Sequence, residues 1–441
     1  MTVQQPLFQS IDRWPPSLLS RLQDAVVWLM FASSFYVIIE PAPSDVIFIG
    51  ILVLFIKSGL SFRAAIAPLF VLLLTYNLGA FLSYLQILGD DKGRLFVETS
   101  IYMAVSAIFF AAYIADDTLH RAAIIRNAMI IAGLIASLFA IAGYLNIGGF
   151  VGGGGIYKDT PSAYNRAVGL FKDPNVFTTY IIFPALLLVQ GFMLGEQRHK
   201  LISGISLLII LGALFLGFSR GAWISFVAAT TLLTGFTYIL APASAIQMGT
   251  GKLRGRIALF VLVAVIMCVV MLTILLSFEQ VRRLFFDRLT LVKEYDGGET
   301  GRFGNQINSI PMLLLRPLGF GPLQFDQYFI EAPHNVYINA FSSYGWPGGV
   351  SYIALMLLSI WVGFKSILMR TPWQNFALVV FCPLLTTIFQ GVQIDTDHWR
   401  HFYWLLGLNW GLFAAGLNYT AKSRANPERN FNASAQQRDR T

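Results

Sequence analysis

The chain consists largely of apolar runs of about 20 residues, the length that crosses a bilayer as an α-helix. Only 12% of its 441 residues are charged and 56% are hydrophobic, whereas a soluble domain carries roughly 25% charged residues. Helices and closed barrels are the structures that satisfy backbone polar groups inside a bilayer. The sequence therefore predicts an all-α, polytopic integral membrane protein.

Hydropathy and loop composition predict about twelve transmembrane helices. They run near 24–40, 44–58, 64–88, 95–115, 122–146, 175–195, 200–218, 222–241, 256–277, 346–368, 374–391 and 400–419. The first run lacks a small-residue cleavage site and is interpreted as a retained helix. Residues 1–277 thus hold predicted spans 1–9, 278–345 form a loop with short amphipathic helices, and 346–419 hold spans 10–12. Residues 420–441, rich in Asn, Arg and Gln, are predicted to be a disordered tail.

The distribution of basic residues predicts the orientation. With a cytoplasmic N-terminus, 18 of the 31 Lys and Arg residues fall on the cytoplasmic side, and the bias is clearer among short loops. Both termini are therefore predicted to be cytoplasmic, and the long 278–345 loop is predicted to lie on the outer face of the membrane. Because topology accounts for most of the net charge of +8, no nucleic-acid partner is expected. Cys268 and Cys382 lie inside apolar runs and are predicted to be small core residues without a disulfide.

An arginine stands at the junction of two predicted spans. The segment Gly217-Phe-Ser-Arg220-Gly-Ala-Trp223 leaves almost no loop between them, so Arg220 lies where a helix meets water. A charge at this depth is a candidate functional residue. The alternative is a snorkelling side chain that anchors the helix end.

The long outer loop carries two further candidates. The spacing of apolar residues predicts an amphipathic helix over 281–291 and another beginning at Arg302, with Phe303, Ile307 and Ile310 on one side. The alternative for this region is a pair of helices on the bilayer surface, with arginines against lipid phosphate. His334 stands just before the helix that leads into the tenth span, where a neutral imidazole can accept a proton. Asn335 either contributes to this site or only caps the helix.

Two weaker patterns have structural alternatives. Asp395-Thr-Asp397, with His398 and His401, resembles the metal-binding DxD of nucleotide-sugar transferases, but a hydrogen-bond cluster or acceptor contact is the favoured interpretation. The glycines at 152–155 lack the Lys-Ser/Thr ending of a phosphate-binding loop and are predicted to form a flexible loop.

Four segments resemble signatures of the O-antigen ligase and polymerase superfamily of bacterial envelope enzymes. They are Gly169-Leu-Phe-Lys-Asp173-Pro-Asn175, Ser219-Arg220-Gly221-Ala-Trp223, Arg302 with Arg316-Pro-Leu-Gly-Phe-Gly-Pro322, and His334-Asn335 with Gly345-Trp-Pro-Gly-Gly349. The resemblance covers roughly residues 165–350, and it rests on the order and spacing of the segments, since each motif alone is weak.

This resemblance implies a GT-C-type glycosyltransferase at the periplasmic face of the bacterial inner membrane, active in lipopolysaccharide or exopolysaccharide biosynthesis. Its donor would be a glycan on undecaprenyl diphosphate, and its acceptor lipid A–core in ligases or a lipid-linked repeat unit in polymerases. His334 would activate the acceptor hydroxyl, and Arg220 and Arg302 would hold the diphosphate. Further substrate-binding candidates are Asp173, Asn175, Ser219 and Asn335. No cofactor or metal is expected.

The residue types suit that chemistry. Guanidinium groups bind phosphate bidentately and stay charged at any relevant pH, and a sugar hydroxyl needs a base to become a good nucleophile. The competing class is a transporter or flippase for lipid-linked sugars. Such a protein should line its path with charge, yet polar residues such as Asn77 and Asn127 are scarce in mid-span. A third alternative, a peptidoglycan glycosyltransferase of the shape, elongation and division group, matches the motifs less well.

Overall fold

The computed structural model describes residues 17–56, 59–147, 166–241, 249–289 and 301–425. Within these ranges the regular elements are fifteen α-helices and three short 3₁₀ turns, with no β-strand, which confirms the predicted all-α fold. The glycines at 152–155 and residues 426–441 of the predicted tail lie outside the described residues.

The first nine helices are α1 (Leu18–Ala32), α2 (Pro43–Ile56), α3 (Ala67–Tyr84), α4 (Asp91–Asp116), α5 (Thr118–Tyr144), α6 (Pro174–Tyr180), α7 (Ile182–Leu194), α8 (Lys200–Leu216) and α9 (Arg220–Leu240). The remaining helices are α10 (Thr250–Ser277), α11 (Glu279–Leu289), α12 (Arg302–Leu314), α13 (Val336–Leu368), α14 (Gln374–Gln390) and α15 (Arg400–Ala425). The 3₁₀ turns are Ala64–Ile66, Leu85–Ile87 and Phe325–Gln327.

Every predicted span overlaps a helix or a pair of consecutive helices. In the described part of the chain, seven helical stretches are long and apolar enough to cross a membrane, and α2, α8 and α14 are shorter apolar helices. The first and last helices, α1 and α15, belong to neither group. The structure therefore supports a multi-span membrane protein, and the total of twelve spans stays a prediction.

Several helix boundaries differ from the predicted spans. α1 ends at Ala32 rather than near residue 40, and the chain that follows is held by a 2.9 Å hydrogen bond from the Val37 N–H to the Leu170 carbonyl. α15 continues to Ala425, beyond the predicted end at 419. α13 begins at Val336, before the predicted 346, and kinks at Gly345, whose φ of 66° is left-handed.

Small residues allow the closest helix contacts. A Cβ at Gly407 or Gly411 of α15 would lie 2.3 Å from the carbonyl oxygen of Ala107 or Ala111 on α4. The i, i+4 spacing puts both glycines on one face of α15. Backbone-to-backbone packing of this kind is the usual way in which membrane helices associate, because lipid provides no hydrophobic driving force between them.

α10 has a different environment. The most apolar 18-residue stretch of α10 has a mean hydropathy of 3.3, and the rest of the protein buries none of it. Cys268 lies on this helix and is exposed, so the prediction that it is a core residue is wrong, whereas Cys382 of α14 is buried. The physical reason is that an apolar side chain in a membrane protein can face lipid as readily as the core.

The helix predicted to begin at Arg302 is confirmed as α12. Most of its apolar side chains are exposed and most of its polar side chains are buried. Phe303, Ile307 and Ile310 are 47%, 66% and 48% exposed, whereas the polar residues Asn305 and Gln306 are buried. A helix that turns apolar residues outward and polar residues inward suits the interface between protein and lipid.

Candidate functional site

The first helical residue of α9 is Arg220, and its side chain is half-buried. Ser219 caps the helix, with its Oγ accepting the Ala222 N–H at 3.4 Å. The same Oγ donates to Oδ1 of Asn175 at 2.8 Å. The start of α9 is therefore tied to the start of α6.

A second arginine, which the sequence analysis missed, reinforces this junction. Arg166 is only 9% exposed. Its Nη2 donates to Asn175 Oδ1 at 3.0 Å, and its Nε donates to the Gly217 carbonyl at 2.9 Å. The signal that could have identified Arg166 in the sequence is its position, three residues before the Gly169–Asn175 segment. Its contacts hold the chain on both sides of the junction.

The predicted binding residues Asp173, Asn175 and Ser219 lie together. Asp173 caps α6, and its Oδ1 accepts the N–H groups of Asn175 at 2.6 Å and Val176 at 3.1 Å. In each of the three side chains, at least one oxygen thus makes a hydrogen bond within the protein. These contacts fix the backbone immediately before Arg220.

Gln390, the last residue of α14, lies beneath the start of α9. Its Oε1 accepts hydrogen bonds from Ser225 Oγ at 3.2 Å and Thr179 Oγ1 at 3.3 Å, and a Cβ at Gly221 would lie 3.2 Å from its Nε2. The next residue, Gly391, accepts the Val336 N–H at 2.8 Å. Two consecutive residues therefore connect the Arg220 region to the start of α13.

His334 and Asn335 stand at that start. His334 is exposed and has a left-handed φ of 44°, which is uncommon for a residue other than glycine. Asn335 caps α13, with its Oδ1 accepting the N–H groups of Tyr337 at 3.0 Å and Ile338 at 3.3 Å. The side-chain oxygen of Asn335 therefore caps the helix, which was one of the two interpretations of this residue.

α12 brings Arg302 to the same segment. Arg302 is the first residue of the helix and is half-buried. Gln306, one turn later, donates through its Nε2 to the Pro333 carbonyl at 2.7 Å. Because i and i+4 residues share a helix face, Arg302 lies on the side of α12 that docks beside His334.

The loop between α14 and α15 completes the arrangement. Oδ1 of Asp395 accepts the Asn335 N–H at 3.1 Å, and the backbone of His334 hydrogen-bonds to the same carboxyl group. Burial, with the nearby Asp397 carboxylate second, raises the pKa of Asp395 to about 7. The His334-Asn335 segment and the Asp395-Thr-Asp397 motif, which are separate in sequence, are therefore in direct contact.

Asp397 is buried and lies at the centre of a hydrogen-bond cluster. Its Oδ2 accepts from Asn339 Nδ2 and Tyr344 Oη, each at 3.1 Å, and lies 3.2 Å from His398 Nδ1. The other ring nitrogen of His398 is 3.1 Å from the Phe96 carbonyl. Burial lowers the pKa of His398, but the Asp397 carboxylate outweighs this and the pKa lies above its ordinary value. Both ring nitrogens face acceptors, which suits a protonated imidazole.

This cluster bears on the DxD pattern. The donors around Asp397 and the backbone N–H groups on Asp395 occupy carboxylate lone pairs that a metal would use. Among the described residues, no group of three or more His, Cys, Asp or Glu side chains could hold a metal ion. The hydrogen-bond interpretation of this loop is the one that the geometry supports.

Comparison with known proteins shows which part of the chain is similar to a known family. A family model described as O-antigen ligase matches residues 205–353. This range contains Arg220, Arg302 and His334, and it excludes Asp173, Asn175 and the loop after α14. No curated protein matches the chain significantly. The resemblance to the O-antigen ligase family is thus confirmed over residues 205–353, about a third of the chain.

Proposed function

We propose that this protein is an O-antigen ligase-type enzyme that transfers a glycan from undecaprenyl diphosphate to lipid A–core at the periplasmic face of the bacterial inner membrane. One observation carries the proposal. The elements that begin with Arg220 and Arg302 both connect to the segment that holds His334, through Gln390-Gly391 and through the Gln306–Pro333 contact. Two permanent cations and one proton acceptor are what this transfer needs.

The arginines would bind the diphosphate of the donor. Guanidinium groups donate two parallel hydrogen bonds to phosphate oxygens and stabilise the charge that develops as the diphosphate leaves. The exposed apolar face of α12 begins at Phe303, directly after Arg302. A lipid-linked diphosphate requires this pairing of a cation with an adjacent apolar surface, on which its isoprenoid chain can lie.

His334 would be the general base. Its imidazole accepts the proton of the acceptor hydroxyl while that oxygen attacks the anomeric carbon of the donor sugar. The bond from the anomeric carbon to the diphosphate oxygen breaks, and the electron pair leaves with the diphosphate. A single displacement of this kind inverts the configuration. The sugar–diphosphate bond is already activated, so the step needs no nucleotide cofactor.

Asp395 would position the base. The left-handed backbone φ of His334 is a strained conformation for a residue other than glycine. The Asp395 carboxyl accepts hydrogen bonds from the backbone at His334 and Asn335. These bonds stabilise the turn that exposes the imidazole. Asp395 thus acts through His334 and need not touch the substrate.

The other candidate residues would hold the arginines and the base in place. Asp173, Ser219 and Asn335 each cap a helix, and Asn175 accepts hydrogen bonds from Arg166 and Ser219. We therefore propose that they orient Arg220 and His334.

The decisive measurement is transfer by purified protein in lipid nanodiscs, with undecaprenyl diphosphate glycan and lipid A–core. His334→Ala should reduce the rate by roughly 10²–10⁴-fold, the usual contribution of a general base. Donor binding should be unchanged, since the arginines provide it. The matched control is His199→Ala, an exposed histidine that directly precedes α8. Full transfer by His334→Ala, or an equal loss in the control, would refute the base assignment.

Deletion of the gene separates the alternatives. Loss of a ligase leaves lipid A–core bare while lipid-linked polymer accumulates. If single repeat units accumulate instead, the protein is a polymerase that uses the same donor chemistry. Donor translocation across proteoliposomes, without any glycosidic bond formation, would identify a flippase.

A further inference from the structure

A cavity of about 140 Å³ lies between three segments of the chain. It is enclosed by the chain after α1, the segment that leads into α6, and the start of α15. Four aromatic side chains form much of its wall: Phe171, Tyr180, Trp399 and Trp404. At about 30 Å³ of liquid per molecule the cavity has room for about five waters, which is the scale of one sugar ring.

Partners compensate the charged side chains around this cavity. At its mouth Lys172 Nζ lies 2.8 Å from Glu40 Oε2. Arg400 makes two hydrogen bonds to the Asp45 carboxylate, at 2.8 Å and 2.7 Å. His398 pairs with Asp397, and Asp173 caps α6. A lining whose charges are already paired favours a neutral ligand over an ion.

Two residues that line the cavity have hydrogen-bonding capacity that the contacts among the described residues leave unused. Ser34 Oγ donates to the Phe31 carbonyl at 2.6 Å, so the 2.7 Å contact between Ser34 and Tyr180 is donated by the tyrosine hydroxyl. The Tyr180 oxygen is thereby left as an acceptor. The His401 ring lines the same cavity, and its buried Nε2 has no hydrogen-bond partner among the described residues. Buried polar groups normally gain such a partner from water or a ligand.

We infer that this cavity binds one neutral sugar ring of the glycan substrates, an inference that rests on the proposed transferase function. A pyranose presents apolar C–H faces to aromatic walls and hydroxyl groups to a few polar atoms, and the lining offers both. The ring comes either from the acceptor core or from the donor glycan.

The position of the cavity suits a subsite of the reaction. Asp173 on one wall is two residues from Asn175, which contacts Ser219 next to Arg220. His398 on another wall lies in the loop whose Asp395 holds the His334 segment. The hydrogen bond from the Val37 N–H to the Leu170 carbonyl joins the chain after α1 to the segment that leads into α6. A sugar bound here would therefore lie beside the reacting groups in a pocket that is already formed.

The test measures binding directly, with tryptophan fluorescence as the readout, because Trp399 and Trp404 line the cavity. One arm uses delipidated core oligosaccharide as the probe and the other uses the free oligosaccharide repeat of the donor glycan. Val37→Phe should fill the cavity and weaken binding of one probe by at least about tenfold. Val53→Phe, the same change at a side chain that is 62% exposed on α2, should leave it unchanged.

A second variant covers the case in which Val37→Phe does not fold. Tyr180→Phe keeps the aromatic wall and removes the acceptor oxygen, and it should also weaken binding. The inference is overturned if neither probe binds, or if a folded cavity variant binds as tightly as the wild type. Binding without any glycan transfer would instead overturn the proposed function and leave the sugar site standing.

Discussion

The backbone N–H of Asn335 donates a 3.1 Å hydrogen bond to the carboxylate of Asp395, 60 residues away in sequence. This contact joins the loop before the last helix to the turn that presents His334. It also gives Asp395 a role that its place in a DxD pattern did not suggest.

Asp395→Ala should therefore lower the rate of glycan transfer by about tenfold, the size of one lost hydrogen bond. Donor binding should stay intact, because the proposed diphosphate ligands Arg220 and Arg302 stand at the starts of two other helices, α9 and α12. The measurement is kcat and donor affinity in nanodiscs, with the exposed Asp326→Ala as control. A loss of donor binding together with the rate would indicate general disorder of the site instead of a misplaced base.

The raised pKa of Asp395 makes a second prediction. With a pKa near 3.8 when unfolded and about 7 when folded, this carboxyl holds a proton in the folded state that the unfolded state has released. Its contribution to stability is thus present at low pH and lost as the pH rises through about 7. The apparent melting temperature of Asp395→Asn should change less between about pH 5 and pH 8 than that of the wild type. Parallel curves would contradict the assignment.

Arg220→Ala should reduce transfer by about 10²-fold or more, the effect of losing a preorganised donor for developing charge. Arg220→Lys should recover little of this loss, because a point charge cannot copy the bidentate guanidinium fork. Steady-state rates should be measured beside the exposed Arg282→Ala. Full activity of Arg220→Lys would reduce Arg220 to a snorkelling anchor.

Gly407→Val tests the packing of α15 on α4. A Cβ there would lie 2.3 Å from the Ala107 carbonyl oxygen, so the helices must move apart. Overpacking of this kind costs about 1–3 kcal/mol. The melting temperature should fall, whereas Gly50→Val on α2, where a Cβ meets nothing within 4 Å, should change little. An equal shift in both variants would mean that the close contact is unimportant.

The orientation of the chain can be tested with thiol labelling in a Cys268→Ala, Cys382→Ala background. Asp326→Cys should react with an impermeant reagent added to the periplasm, and Gly251→Cys should react only after the cells are opened. The reason is the excess of basic residues in the short loops on the Gly251 side. The reverse pattern would place the candidate site in the cytoplasm.

By itself, the sequence determined the helical membrane architecture and the helix that begins at Arg302. Apolar runs of membrane-spanning length allow few other structures, and caps such as Ser219 and Asn335 mark helix starts by local hydrogen bonding. Such signals depend on residues that are close in sequence, so they can be recognised in the sequence alone. Hydropathy cannot separate lipid from core, and that is why Cys268 was misplaced.

Only the tertiary structure decided which distant segments meet. Asp395 contacts Asn335 across 60 residues, and Gln306 contacts Pro333 across 27. The buried Arg166 likewise depends on how α6 meets the turn before α9. The sugar-sized cavity depends on how the chain after α1 lies against α6 and the start of α15. The physical reason is that these contacts arise from the angles and separations of packed helices, which the spacing of residues along one chain does not specify.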